Sequence, residues 1–267
     1  MRTHPLPTDL VGRALALAQL TTLGRVPRLV HALVAGSLAC GSDPPVDTQL
    51  SVAAEYVSVG VVRVSNAGAT ALRPFRFELS SMLVSGSKAS AKLEGVGSEI
   101  ELTGYYDGAE HLVVFELFDA AVTSTATESI AGLGMKLTDG KPSNGIADEI
   151  SGFVEGHQGQ VTLDGSFLGV SRRTVRIDPP QPDQLSAARS GLGEIEVMGG
   201  PGTIHGPIGV ELYRFTSTDR NPVLTTARAN DDGSFRVTLE GVPGDVVVVR
   251  ANAAGVPSFG EFVAVPE

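Results

Sequence analysis

Few side chains in this 267-residue chain are of types that do chemistry. Beyond residue 40 there are three histidines, His111, His157 and His205. An imidazole acts as a base only when a nucleophile or carboxylate is set against it. His111 lies at the head of an apolar run, His157 in the Gly156-His157-Gln158-Gly159 turn, and His205 beside Gly206-Pro207. No G-x-S-x-G elbow, H-E-x-x-H pair or P-loop accompanies them. Carboxylates are plentiful, but no spacing pairs two of them across a cleft in the way glycoside hydrolysis requires. The sequence therefore names no catalytic residue and no cofactor, and predicts a non-enzymatic protein. Calcium is the one inorganic ligand to weigh. Asp139, Asn144, Asp148 and Glu149 supply hard oxygens around Asn144-Gly145. With Gly145 at the sixth position of a calcium loop, however, the first, third and twelfth ligand places fall on Gly140, Pro142 and Ser151. A solvated loop joining two strands is the better reading of these residues, and no metal site is predicted.

The remaining reactive group is Cys40, the only thiol. It follows the run Leu29-Val30-His31-Ala32-Leu33-Val34-Ala35-Gly36-Ser37-Leu38-Ala39, behind Arg25 and Arg28, and precedes Gly41-Ser42-Asp43-Pro44-Pro45. This arrangement resembles the signal peptide and lipobox of bacterial lipoproteins, with Ser37 where leucine is usual. The resemblance implies a signal peptide over residues 1–39, lipidation of Cys40 by acyl chains such as palmitate, and a tether over 40–49. Gly41 after the cysteine implies the outer membrane. A buried cysteine in an N-terminal helix would account for the residue type, but a helix interior does not break into Gly41-Ser42-Asp43-Pro44-Pro45. Two or more acyl chains, at about 0.8 kcal/mol per buried methylene, anchor a protein stably. Nothing later in the chain reaches the roughly 18 to 20 consecutive apolar residues of a membrane-spanning helix.

Residues 1–40 hold four of the 20 basic residues and one of the 30 acidic ones, so the remainder carries a net charge of −13. That balance repels phosphate backbones, and nucleic acid is excluded as a partner. With Cys40 acylated no thiol is left for a disulfide or a thiolate metal site. The membrane, through the anchor, and an envelope protein or polysaccharide are the expected partners.

The elements that would position any site are strands. The chain has 32 glycines, only four lysines and no sustained 3.6-residue stripe after residue 45. Asp178-Pro179-Pro180-Gln181-Pro182-Asp183 marks a boundary, because proline removes ladder donors. The expected organisation is an antiparallel β domain over 50–177, a Pro-rich linker over 178–192 and a β-sandwich over 193–267. In the last segment Ile208, Val210 and Leu212 alternate with polar neighbours, as do Phe235, Val237 and Leu239. Asn230-Asp231-Asp232-Gly233 predicts a tight turn, and Val246 to Val249 a central strand.

Asp232-Gly233-Ser234-Phe235, Pro243-Gly244-Asp245 and the valine run together resemble bacterial immunoglobulin-like modules of surface and secreted proteins. A carboxypeptidase-regulatory-like or transthyretin-like sandwich shares these features.

The first domain predicts antiparallel sheet, as a closed barrel or as two packed sheets. Phe75, Phe77 and Leu79 alternate with Arg76, Glu78 and Ser80. Glu149 to Glu155 and Gln160 to Leu168 read as a hairpin. Two functions from different classes follow. In the first, an anchored envelope lipoprotein uses these domains as a structural, adhesion or partner-binding module. In the second, the first domain encloses an apolar molecule or lipid among Phe75, Phe77, Tyr106, Phe115, Phe118, Phe153 and Phe167, residues that would equally fill a packed core.

Overall fold

The protein is described by a computed structural model covering residues 54–94, 100–116, 128–129, 132–138, 147–158 and 160–266. Cys40, Asp139, Asn144 and Phe118 lie outside the described residues. Among the described residues every regular element except one 3-10 turn, Pro182–Gln184, is a β-strand, so the fold is all-β as the composition predicts.

Nine strands build the first domain: β1 (Ala54–Asn66), β2 (Ala69–Ser85), β3 (Lys88–Glu94), β4 (Ile100–Asp107), β5 (Leu112–Glu116), β6 (Glu128–Ser129), β7 (Gly132–Thr138), β8 (Glu149–Gln158) and β9 (Val161–Ser171). Each pairs antiparallel with its neighbour in the order β1-β2-β3-β4-β5-β7-β8-β9, and β9 also pairs with β1. The sheet thus closes into an eight-stranded barrel, with β6 a short addition on β8. Closure resolves the choice between barrel and stacked sheets, and it removes the long edges that two open sheets would expose.

The period of two along each strand divides the wall. Inward positions hold Tyr56, Phe77, Leu79, Met82, Leu102, Val113, Phe115, Met135, Ile150 and Phe167, all buried in one cluster. Phe77 and Phe167 meet edge to face with ring centroids 5.0 Å apart, and the Tyr56 hydroxyl donates to the Ala147 carbonyl at 2.9 Å. Side chains in contact with one another therefore occupy the barrel interior. Glycines let the wall curve around them. A Cβ on Gly104 would collide with the Val114 carbonyl oxygen, and one on Gly152 with that of Gly134. Outward positions carry Arg63, Glu78, Lys92, Lys136 and Asp164, the reverse of a lipid-facing barrel.

The hairpin at residues 149–168 forms with a tighter tip than the sequence predicts: Gln158 pairs with Val161, so only residues 159 and 160 connect the strands. A second boundary also moves. Residues 185–191, read above as the end of the linker, form β10 (Leu185–Gly191), because Leu185 and Ala187 pack on the second core.

β10 pairs with β11 (Glu194–Gly199), which pairs with β14 (Phe235–Glu240). The facing sheet contains β13 (Val223–Arg228), β12 (Gly209–Phe215) and β15 (Val246–Ala253), with β16 (Val256–Pro257) and β17 (Glu261–Ala264) both on β15. Ile195, Val197, Val210, Leu212, Phe235, Val247 and Val249 form the core between the two sheets. The turn before β14 is built as its residues predict: Asp232 Oδ1 accepts from the Ser234 amide at 3.0 Å and hydroxyl at 2.7 Å, and Gly233 takes φ +80°.

Candidate functional site

The alternation of β15 produces the contact that joins the domains. Val247 and Val249 face the sandwich core, while Val246 and Val248 turn the other way and pack with Phe215 against Val59 and Val61 on the outer wall of β1. The valine run is apolar throughout because both of its faces are covered. Arg250 continues the barrel-facing row and is 2% exposed. Its Nη1 donates to Glu149 Oε2 on the barrel at 3.0 Å, and its Nη2 donates to Glu211 Oε2 at 2.6 Å and to the Tyr213 hydroxyl at 2.8 Å. The Tyr213 hydroxyl in turn donates a hydrogen bond to Glu211 Oε2 at 3.2 Å. Burial, reinforced by Glu211 and Glu149 and opposed by Arg250, pushes the Tyr213 phenol up to about 12. Burial pulls the Arg250 guanidinium down, but Tyr213, Glu149 and Glu211 outweigh it and hold the charge more firmly than in water. A buried ion stays charged when its hydrogen bonds are complete, and here both carboxylates serve that end.

Further ties ring this patch. Arg76 pairs with Glu261 at 2.5 Å and lies over the Phe262 ring. Arg220 pairs with Glu155 and Asp164 and stacks on Phe153, 4.5 Å from its centroid. Arg63 donates to the Thr218 carbonyl at 3.0 Å. Beside Arg220 a cleft of about 470 Å³ runs along the junction between Phe153, Leu168 and Asn221, its charged groups already paired to one another.

The histidines remain apart. His111 follows the β4 turn at φ +52°, its Nδ1 3.3 Å from the Tyr106 hydroxyl. His205 is exposed and 3.2 Å from Asp178. His157 sits in β8 opposite Thr162. Of the calcium candidates, Glu149 is engaged by Arg250, and Asp148 precedes β8. Among the described residues, no three His, Cys, Asp or Glu side chains are grouped to hold a metal.

Where β2, β3 and β4 run toward the β2–β3 hairpin, no other element among the described residues covers the barrel wall. There β2, β3 and β4 form an open groove of about 580 Å³. Its outward side chains stand in two rows fixed by register: Leu83 opposite Ser90 opposite Thr103, and Ser85 opposite Lys88 opposite Tyr105. Leu83 and Tyr105 are each 40% exposed, and they are the barrel's two exposed large hydrophobic residues among those described. No protein-family model matches this chain, and no curated protein matches it. The candidate site therefore rests on geometry: the sandwich covers one part of the barrel wall, and among the described residues the part over β2, β3 and β4 presents a surface of mixed polarity.

Sequence reading missed both features. Glu149 and Arg250 are 101 residues apart and no local motif links them. The groove had a fainter signal, Tyr105 beside Tyr106 in a strand, where alternation sends one ring inward and the other out.

Proposed function

We propose that this chain is a non-enzymatic, lipid-anchored protein of the bacterial cell envelope, held through Cys40 in the outer membrane, whose sandwich carries the barrel and whose barrel binds a partner on its uncovered wall. The observation that carries this reading is the division of the barrel's outer surface. One part is committed to the sandwich by a valine patch and a ring of ion pairs, while Leu83 and Tyr105, on β2 and β4, are left exposed at two corners of a groove beyond it. What supports a binding role there is the open groove that these two side chains line together with hydroxyls and Lys88.

The strand order of the sandwich supports an immunoglobulin-like module. Lettered A to G in chain order, β10, β11, β12, β13, β14, β15 and β17 form the sheets A-B-E and D-C-F-G. The immunoglobulin constant arrangement differs only in the sheet that takes strand D. The carrier reading has less support, because the barrel's inward positions are filled by side chains.

Fractionation of producing cells tests the anchor. The full chain is expected in the membrane pellet, and Cys40→Ser in the soluble fraction. Retention of the serine variant in the pellet would contradict the reading.

A further inference from the structure

We propose that the groove over β2, β3 and β4 binds a linear saccharide of pyranose units, at least one of which bears a carboxylate set against Lys88. This rests on the reading of the uncovered wall as the binding face and names its ligand class.

The two apolar side chains stand at opposite corners of the patch: Leu83 on β2 in one row, Tyr105 on β4 in the other. With strands about 4.8 Å apart and alternate residues about 6.8 Å apart along a strand, the corners are about 12 Å from each other. Between them stand three hydroxyls, Ser85, Ser90 and Thr103, and the Lys88 ammonium, all exposed. A protein partner is bound best by a continuous apolar centre depleted of charge, and this patch is the opposite, two apolar spots separated by polar groups. A chain of pyranose rings has the matching surface, C–H faces alternating with hydroxyls. The distance between the corners suits two linked rings, one face resting on Tyr105 and the next on Leu83. The aromatic ring offers area at little conformational cost, and the serine and threonine hydroxyls can both donate to and accept from sugar hydroxyls.

Lys88 decides the charge. It has no carboxylate partner among the described residues, whereas Arg63, Arg76, Arg220 and Arg250 are each paired. Lys88 closes the β2–β3 hairpin opposite Ser85 and beside Tyr105, and it is the one charged group lining the groove, so any carboxylate of the ligand is set against it.

The test uses the full chain purified in detergent, titrated calorimetrically with two tetrasaccharides: one alternating glucuronate with N-acetylglucosamine, the other built of N-acetylglucosamine alone. The acidic probe is expected to bind, at least ten-fold more tightly than the neutral one. Tyr105→Ala should weaken binding at least ten-fold while the melting temperature is unchanged, and Lys88→Gln should bring the acidic probe down to the neutral one's affinity. Failure of the acidic probe to bind at millimolar concentration, binding unaffected by Tyr105→Ala, or equal binding of the two probes overturns the proposal. A photo-crosslinking residue at Ser90 in producing cells separates this failure from that of the broader reading. A protein adduct without saccharide binding sinks the saccharide alone, and neither adduct nor binding sinks both.

Discussion

The two walls of the barrel are made of the same alternating strands, yet they have different fates. On β1, Val59 and Val61 point outward and are covered by Val246, Val248 and Phe215 of the sandwich. On β2 and β4, Leu83 and Tyr105 point outward and are covered by nothing among the described residues. The covered wall is rich in arginine–carboxylate pairs that lock a fixed geometry, while the groove over β2, β3 and β4 is lined by three hydroxyls and the Lys88 ammonium, groups that adapt to a ligand. An outward apolar residue on such a barrel thus has a reason to be there, and its polar neighbours tell which reason.

The largest expected effect breaks the covered wall. Arg250→Met leaves Glu149 and Glu211 facing an apolar side chain, and loss of one partner from a buried ion pair costs about 3–5 kcal/mol. Urea denaturation should show a loss of that order. Next comes the frame that holds the walls apart. Gly104→Ala drives a methyl into the β5 backbone, an overpacking defect worth about 1–3 kcal/mol in the same assay.

A pH series then sharpens the picture of the covered wall. Because the folded-state phenol of Tyr213 is raised from 10.0 to about 12, the folded chain keeps a proton there that the unfolded chain has lost. Its contribution is fully present below pH 10 and is lost as pH rises from about 10 toward 12. Melting temperatures of the parent protein should fall more steeply over that window than those of Tyr213→Phe. The smallest effect belongs to the uncovered wall. Leu83→Ser and Tyr105→Ser should each change stability by no more than about 0.5 kcal/mol, since neither side chain supports the fold.

The sequence was most legible where structure is local. Phe75, Phe77 and Leu79 announced a half-buried strand, and the Asp232 turn formed with the hydrogen bonds its residues favour. Barrel closure was not legible, because it depends on β9 finding β1 across roughly a hundred residues, a choice made by packing around Phe77 and Phe167. β10 was hidden for the converse reason. Ser186-Ala187-Ala188-Arg189-Ser190-Gly191 has the composition of a linker, and only pairing with β11 makes it a strand. The valine run at 246–249 was recognised as a central strand, but its second buried face and the role of Arg250 needed the barrel in place. Glu149 drew attention as a calcium oxygen in an acidic stretch, and its observed partner is a guanidinium from the other domain.

The central claim, that barrel and sandwich are fastened to each other through one wall, is tested most directly by a double-mutant cycle on Glu149→Gln and Arg250→Met. The pair spans the domain boundary at 3.0 Å with the guanidinium buried. A coupling free energy of about 1–3 kcal/mol is predicted from equilibrium unfolding of the parent, both single variants and the double variant. Effects that simply add, with coupling indistinguishable from zero, would contradict the docked arrangement.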